Sequence, residues 1–286
     1  MIRRRNVLGL MGAAAGLAMV NGEARAATRA PKSLDLNDER QLGLVLRKLR
    51  YGLDGSLTFW WMRGTRYGVV DSFATPFWDM YIGTWYYVRD LDGDNYEVTV
   101  ASANYYTPVG SEELLKVFRN PYTNAEVPVK YAAPKARRSV VGPKSGSVFG
   151  GDGMPGMKTT RATDPGPGWI EGEDVVVRGD MVMGAVPVDP ASGARPMHVN
   201  DWSTYVGKLA DLTDPAQKNP PAVQYFTDIL TWPAWLQMGD QRGSYVSRCY
   251  GRKVFAYEQM PAIWRRLFEQ AHPEAARDPV GLVKGG

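Results

Sequence analysis

Few residues in this 286-residue chain have the types and spacing that chemistry asks for. His198 sits in Pro196-Met197-His198-Val199-Asn200-Asp201-Trp202, beside a carboxylate and a ring at the entrance to an expected strand. Those surroundings suit a general acid or base, and equally an ordinary surface or capping histidine. The other histidine, His272, falls at the end of the last expected helix and reads as structural. With no H-E-x-x-H pair and no His/Cys cluster the chain argues against a zinc site, and it has no G-x-S-x-G elbow. The single cysteine, Cys249, lies in an expected strand, where a buried thiol is the simpler reading. Arg63, Arg66, Asp79, Asn104, Asp201, Asp240 and Arg242 complete the polar candidates. Asp79 stands among rings, and a buried carboxylate is costly unless it is paired, so it needs Arg63, Arg66 or water in a pocket.

These side chains have to be positioned by the stretch from Leu57 to Tyr106, the densest in large aromatics. Leu57, Phe59, Trp61 and Arg63 alternate with Thr58, Trp60 and Met62, the two-residue period of a strand. Arg63-Gly64-Thr65 predicts a hairpin turn and Arg66 to Asp71 a return strand. Pro76 opens a long strand to Arg89, Leu91 to Asn95 turns, and Tyr96 to Thr107 runs back. One face of the long strand carries Trp78, Met80, Ile82, Thr84, Tyr86 and Val88. The other carries Phe77, Asp79, Tyr81, Gly83, Trp85, Tyr87 and Arg89. Both faces must be covered, so one is expected to be core and the other a cavity, although rings packed inside a barrel or under a helix would read the same.

Elsewhere, Leu42, Val45, Leu46 and Leu49 recur at helical spacing after Asp38. Ser111 begins an expected helical turn through Phe118, and Ala125 to Val129 an expected strand. The Gly/Pro-rich segment 148–169 predicts a long exposed loop. It contains Gly151-Asp152-Gly153-Met154-Pro155-Gly156, which fits G-x-G-x-x-G without the strand and helix a dinucleotide site requires. Asp90, Asp92 and Asp94 start like a calcium loop, but Asn95 and Ala101 occupy its glycine and glutamate positions. Asp174 to Val188 predicts a hairpin through Arg178-Gly179-Asp180, followed by strands at Trp202 to Leu209, Val223 to Trp232 and Ser244 to Tyr257. Pro261 opens a helix with Ile263, Trp264, Leu267 and Phe268 on one face, and the tail after Pro273 is expected to be mobile.

Met1 to Ala26 has the form of an export signal: Arg3-Arg4-Arg5, an apolar run from Val7 to Val20, and Ala24-Arg25-Ala26 before the expected cut. Arg4-Arg5-Asn6-Val7-Leu8 looks like a twin-arginine signal, which predicts a periplasmic or secreted bacterial protein exported already folded; an ordinary secretory signal remains the alternative. The run is Gly/Ala-rich and shorter than the ~20 residues of a membrane span, so no stable span is expected after cleavage. The segment holds four arginines against Glu23, a net of +3 out of the overall +4, which leaves about +1 on the mature chain. Nucleic-acid binding is therefore not expected. A hydrophobic fraction of 44% and a charged fraction of 22% suit a globular chain with a real core.

Four segments carry a likeness: Leu49-Arg50-Tyr51 with Phe59-Trp60-Trp61-Met62-Arg63-Gly64, then Phe118-Arg119-Asn120-Pro121-Tyr122-Thr123, then Trp235-Leu236-Gln237-Met238-Gly239-Asp240. Together they resemble an uncharacterised bacterial family, domain of unknown function 1838, over nearly all of the mature chain. Many of its members look similar in having a twin-arginine leader. The resemblance implies one domain and no established reaction, cofactor or catalytic residue.

The expectation is a mainly β protein, a single domain over 27–286, in which an antiparallel meander closes into a lipocalin-like β-barrel with a helix at each end. Trp61, Tyr81, Trp85 and Tyr87 are expected to hold a small apolar or aromatic ligand, with Arg63 and Asp79 at its polar end. No metal or cofactor is expected, and the oligomeric state stays open. The alternative is a cofactor-independent lyase, isomerase or hydrolase acting on an aromatic or terpenoid compound, with His198 or Asp79 moving the proton. A structural protein of the envelope, touching a partner through 148–169, is the third possibility.

Overall fold

The computed structural model describes residues 34–142, 148–149, 156–164, 166–192 and 195–285, which belong to one compact unit. The leader and most of the Gly151 to Gly156 run lie outside them. Helix α1 (Glu39–Arg50) starts where Asp38 accepts from the Gln41 N–H at 2.9 Å and buries Leu42, Val45, Leu46 and Leu49, as the spacing predicts. The strands follow as β1 (Thr58–Val70), β2 (Phe73–Asp90), β3 (Tyr96–Thr107), β4 (Val117–Arg119), β5 (Glu126–Pro128), β6 (Arg137–Val141), β7 (Val148–Phe149), β8 (Met157–Asp164), β9 (Trp169–Glu171), β10 (Asp174–Pro187) and β11 (Met197–Lys208). Then come α2 (Leu209–Thr213), β12 (Val223–Leu230), β13 (Ser244–Val254), α3 (Ala262–Ala271), α4 (Pro273–Arg277) and α5 (Gly281–Lys284).

Eleven strands form one antiparallel sheet in the order β7-β6-β3-β2-β1-β13-β12-β11-β10-β8, with β9 also on β10; β4 and β5 pair separately. The two ends of the path, β7 and β8, come near each other. Among the described residues no hydrogen-bonded ladder joins them: the expected mainly β, antiparallel architecture is present as a curled sheet, and its closure into a barrel is not seen.

Two expected turns are strand interiors instead. β1 runs through Gly64 and turns at Asp71 and Ser72, whose φ values of 48° and 67° suit a two-residue hairpin turn. A Cβ on Gly64 would lie 1.9 Å from the Arg248 carbonyl oxygen, so this glycine permits close approach of β13 rather than reversal of the chain. Gly179 similarly sits mid-way along β10 against the Tyr205 ring, 3.0 Å from where its Cβ would be. The helical turn expected from Ser111 is irregular chain leading into β4. Within 148–169, Met157–Asp164 is a strand paired with β10, not loop. The tail beyond Pro273 folds back as α4 and α5, with Val283 buried in the cluster beneath α3. No helix among the described residues is long and apolar enough to cross a membrane.

The core divides in four, the smallest part being Tyr51, Val88, Tyr96, Val98 and Val141. On the convex face α3 covers Phe59, Tyr81, Trp85, Ala101, Ala103 and Tyr105. On the concave side α1 plugs one end against Trp60, Val175, Val177 and Tyr205. The β4–β5 hairpin plugs the other with Phe118 and Val127, joined by Leu236 and Met238, against Phe77, Trp78 and Tyr245. Asn120, from one of the segments that carry the family likeness, donates to the Leu236 carbonyl at 2.7 Å in another. Buried lysines tie down the helix ends: Lys253 Nζ donates to the Lys48 carbonyl of α1 at 2.7 Å, and Lys48 Nζ donates to the carbonyls of Leu212 in α2 and Asp214 just after it at 3.0 and 2.9 Å.

Candidate functional site

Between the two plugs lies a cavity of about 450 Å³, walled by strands from β6 at one side of the sheet to β10 at the other. A volume of this size falls within the roughly 300–1,000 Å³ of small-molecule pockets. Its apolar walls are Met62, Met80, Ile82, Val98, Val100 and Phe226. On β2 and β3 these are the even-numbered residues, because alternation sends every second side chain inward.

At the end near the β4–β5 hairpin, the cavity is closed by a neutralised charge. Arg66 and Asp228, both buried, form an ion pair at 2.5 Å. The same Asp228 oxygen accepts from the Ser247 N–H and hydroxyl at 2.8 and 2.6 Å, and the guanidinium lies 4.1 Å from the Tyr245 ring centre. Arg66 Nε is left without a partner. Burial pushes the Tyr245 phenol well above its ordinary value and the nearby Cys249 thiol up to about 12. Cys249 is therefore a neutral thiol at physiological pH and not a nucleophile.

At the α1 end the charge is arranged differently. Arg50, the last residue of α1, lines the cavity floor with its guanidinium 4.8 Å from the Tyr51 ring centre and 5.5 Å from that of Tyr205. Tyr86 and Tyr96 complete the ring of phenols around it. Among the described residues no carboxylate lies within ion-pair distance of Arg50. Burial works against its charge, but a guanidinium is basic enough to stay a cation, and the ring faces of Tyr51 and Tyr205 lie against it. Burial, and then the neighbouring Tyr51, raises the Tyr86 and Tyr96 phenols far above neutrality, so both remain protonated donors.

The expected binding residues lie on the opposite face. Tyr81 and Trp85 are buried beneath α3, Trp85 with ring centres 6.1 Å from Trp264 and 5.9 Å from Phe268. Tyr87 lies under Lys284 of α5, at 5.6 Å. Trp61 packs edge-on against Tyr250 at 6.2 Å, and Arg63 is exposed over the Tyr81 ring at 5.1 Å. Asp79 meets neither Arg63 nor Arg66; it accepts from the Thr65 hydroxyl and the Gly110 N–H, both at 2.9 Å. His198 is exposed on β11, its backbone N–H bonded to the Thr231 hydroxyl at 3.3 Å. None of these residues lines the cavity, and the proposed proton carriers His198 and Asp79 share no site there. Arg66, Asn104 and Asp201 do line it, whereas Asp240 and Arg242 sit in an exposed turn.

Both faces of β2 are ring-rich, so alternation separates them without saying which is concave. Small residues carry the missing signal. Gly83, Ala101 and Ala103 pair across β2 and β3 on the odd face, and a Cβ on Gly83 would lie 2.2 Å from the Trp264 ring, which shows where α3 docks. Arg50 was absent from the polar candidates, although Leu42, Leu46 and Arg50 follow at i, i+4, i+8 and place a charge on the apolar stripe of α1. No family model and no curated protein matches the chain.

Proposed function

We propose that this protein, once exported, carries one small molecule with an apolar body inside its curled sheet, which wraps the ligand as an incompletely closed, lipocalin-like barrel. The observation that supports this is the partly open cavity between two plugs, whose aliphatic and aromatic walls alternate with Thr84, Ser102, Asn104 and Ser203 and which has an arginine at each end. Its neighbours on the convex face are packed solid by α3 and leave the ligand no room there. The enzymatic alternative that used His198 and Asp79 loses its shared site, since neither residue reaches the cavity.

Native mass spectrometry of the protein purified from its own host tests the proposal. The expected result is a stoichiometric small molecule that copurifies with the wild-type chain and is absent from Ile82→Trp, in which an indole fills the cavity. An Ile82→Trp variant that folds and carries the same molecule in the same amount would place the ligand elsewhere and end the proposal.

A further inference from the structure

We propose that Arg50 and its ring of tyrosines bind the acidic head of the ligand, so that the occupant is an apolar body bearing a single carboxylate-type monoanion. This rests on the cavity being a binding site.

Three arginines line the cavity, the exposed Arg137 and one at each end, and the two at the ends differ in one respect that decides the matter. Arg66 already has its anion in Asp228, and Asp228 has further donors in Ser247. Arg50 is half-buried, faces the same cavity and has phenols where Arg66 has a carboxylate. Tyrosine rings offset part of the cost of a buried cation, but they supply no opposite charge.

Capping of α1 does not account for Arg50. Its own carbonyl accepts from Trp60 Nε1 at 2.8 Å, and Lys253 already donates to the Lys48 carbonyl. The terminal carbonyls are thus served by other residues, and the guanidinium is left to the cavity.

The donors around it suit an oxyanion. A guanidinium offers a planar fork that matches a carboxylate in two parallel hydrogen bonds. The Tyr86 and Tyr96 hydroxyls, held protonated, can only be attracted to an anion as donors, and they would repel no charge of their own. Arg47, over the Tyr96 ring at 4.3 Å, is already paired with Asp90, and Arg137 is exposed on β6, so Arg50 is the cation left to this end of the cavity, which favours a monoanion over a phosphate dianion.

The walls continue the fit. From Tyr96, the inward positions of β3 run on to Val98 and Val100; from Tyr86, those of β2 run through Thr84 to Ile82 and Met80. An acid seated on Arg50 therefore projects its apolar body along these side chains toward Phe226.

Isothermal titration of the purified protein with octanoate and 2-naphthoate, each beside its neutral isostere octanamide or 2-naphthamide, tests the inference. Wild type is expected to bind the acids about ten-fold more tightly than the amides, the scale of one charge-assisted hydrogen-bonded contact, and Arg50→Met to remove that preference. Tyr86→Phe is expected to reduce it by several-fold. Equal binding of acid and amide by wild type, or an intact preference in Arg50→Met, would overturn the anionic head while leaving the cavity as a binding site. If none of the four compounds binds wild type, the cavity proposal falls and this inference with it. Where Arg50→Met fails to fold, Arg50→Lys keeps the charge and loses the fork; it is expected to weaken the acids alone, and equal weakening of acids and amides would overturn the assignment.

Discussion

Along β2 the odd-numbered side chains Tyr81 and Trp85 are sealed beneath α3, while the even-numbered Met80, Ile82, Thr84 and Tyr86 open onto the cavity. Both faces are rich in large side chains, so hydrophobicity does not distinguish them. Their neighbours do. On the convex face Gly83, Ala101 and Ala103 let the rings of α3 settle directly on the sheet. On the concave face Thr84, Ser102 and Asn104 stand between aliphatic groups and curve away from any covering helix. The difference teaches that a packed face needs small residues opposite its large ones, and that a face of middle-sized and polar residues leaves space.

The strongest way to break this comparison is to compare truncations on its two sides. Trp264→Ala removes a ring that is 1% exposed and packed against Trp85, Tyr105 and Phe268. The expected loss is about 5 kcal/mol, at the top of the range for buried aromatics. Ile82→Ala is expected to cost about 2 kcal/mol, because it enlarges space that is already open. Urea denaturation of both variants checks the pair, and equal losses would remove the distinction between a sealed face and an open one.

The buried charge at the hairpin end of the cavity sharpens the comparison at intermediate cost. Asp228→Leu strands the Arg66 guanidinium in the core and is expected to destabilise the protein by about 3 kcal/mol. The double variant Arg66→Met/Asp228→Leu is expected to recover about half of that loss, since an apolar pair of similar volume replaces a desolvated ion pair while the buried Ser247 N–H and hydroxyl lose their acceptor. A double variant as unstable as the single would mean that Arg66 stabilises the fold through the Tyr245 ring rather than through its pair.

Periodicity was enough to read β2, β3, β13 and both long helices, because alternation and the 3.6-residue stripe are local properties of the chain. It failed at Gly64 and Gly179, where glycine signals a close neighbour from a distant strand and looks the same in sequence as a turn. It failed again at the choice of face, which depends on α3, some 180 residues after β2, docking on Gly83. The aromatic stretch was rightly seen as central, but the candidate site is carried by its even-numbered residues and by Arg50. The position of Arg50 on an apolar stripe was legible; its ring of tyrosines from β2, β3 and β11 was not. Asp79 was likewise legible as a carboxylate that needed partners, and the Gly110 N–H that supplies one comes from the loop after β3.

The smallest expected effect concerns Lys253, which ties β13 to the C-terminal end of α1. Burial pulls its ammonium down to about 7, with only partial compensation from Asp54. The unfolded chain holds this proton up to about 10.4, so between pH 7 and 9 the unfolded state binds more protons than the folded one and stability rises with pH. The gain is expected to be about 2 kcal/mol, read as a higher urea midpoint at pH 9 than at pH 7. Lys48 is lowered by burial in the same direction, so some rise remains when Lys253 is changed. In Lys253→Met the rise should shrink markedly, while the acid preference attributed to Arg50 stays as in wild type, because Lys253 holds the Lys48 carbonyl and takes no part in the cavity wall. A variant that keeps the full pH dependence would show that the Lys253 amine is solvated in the folded protein, and that the α1 plug is looser than the walls it closes.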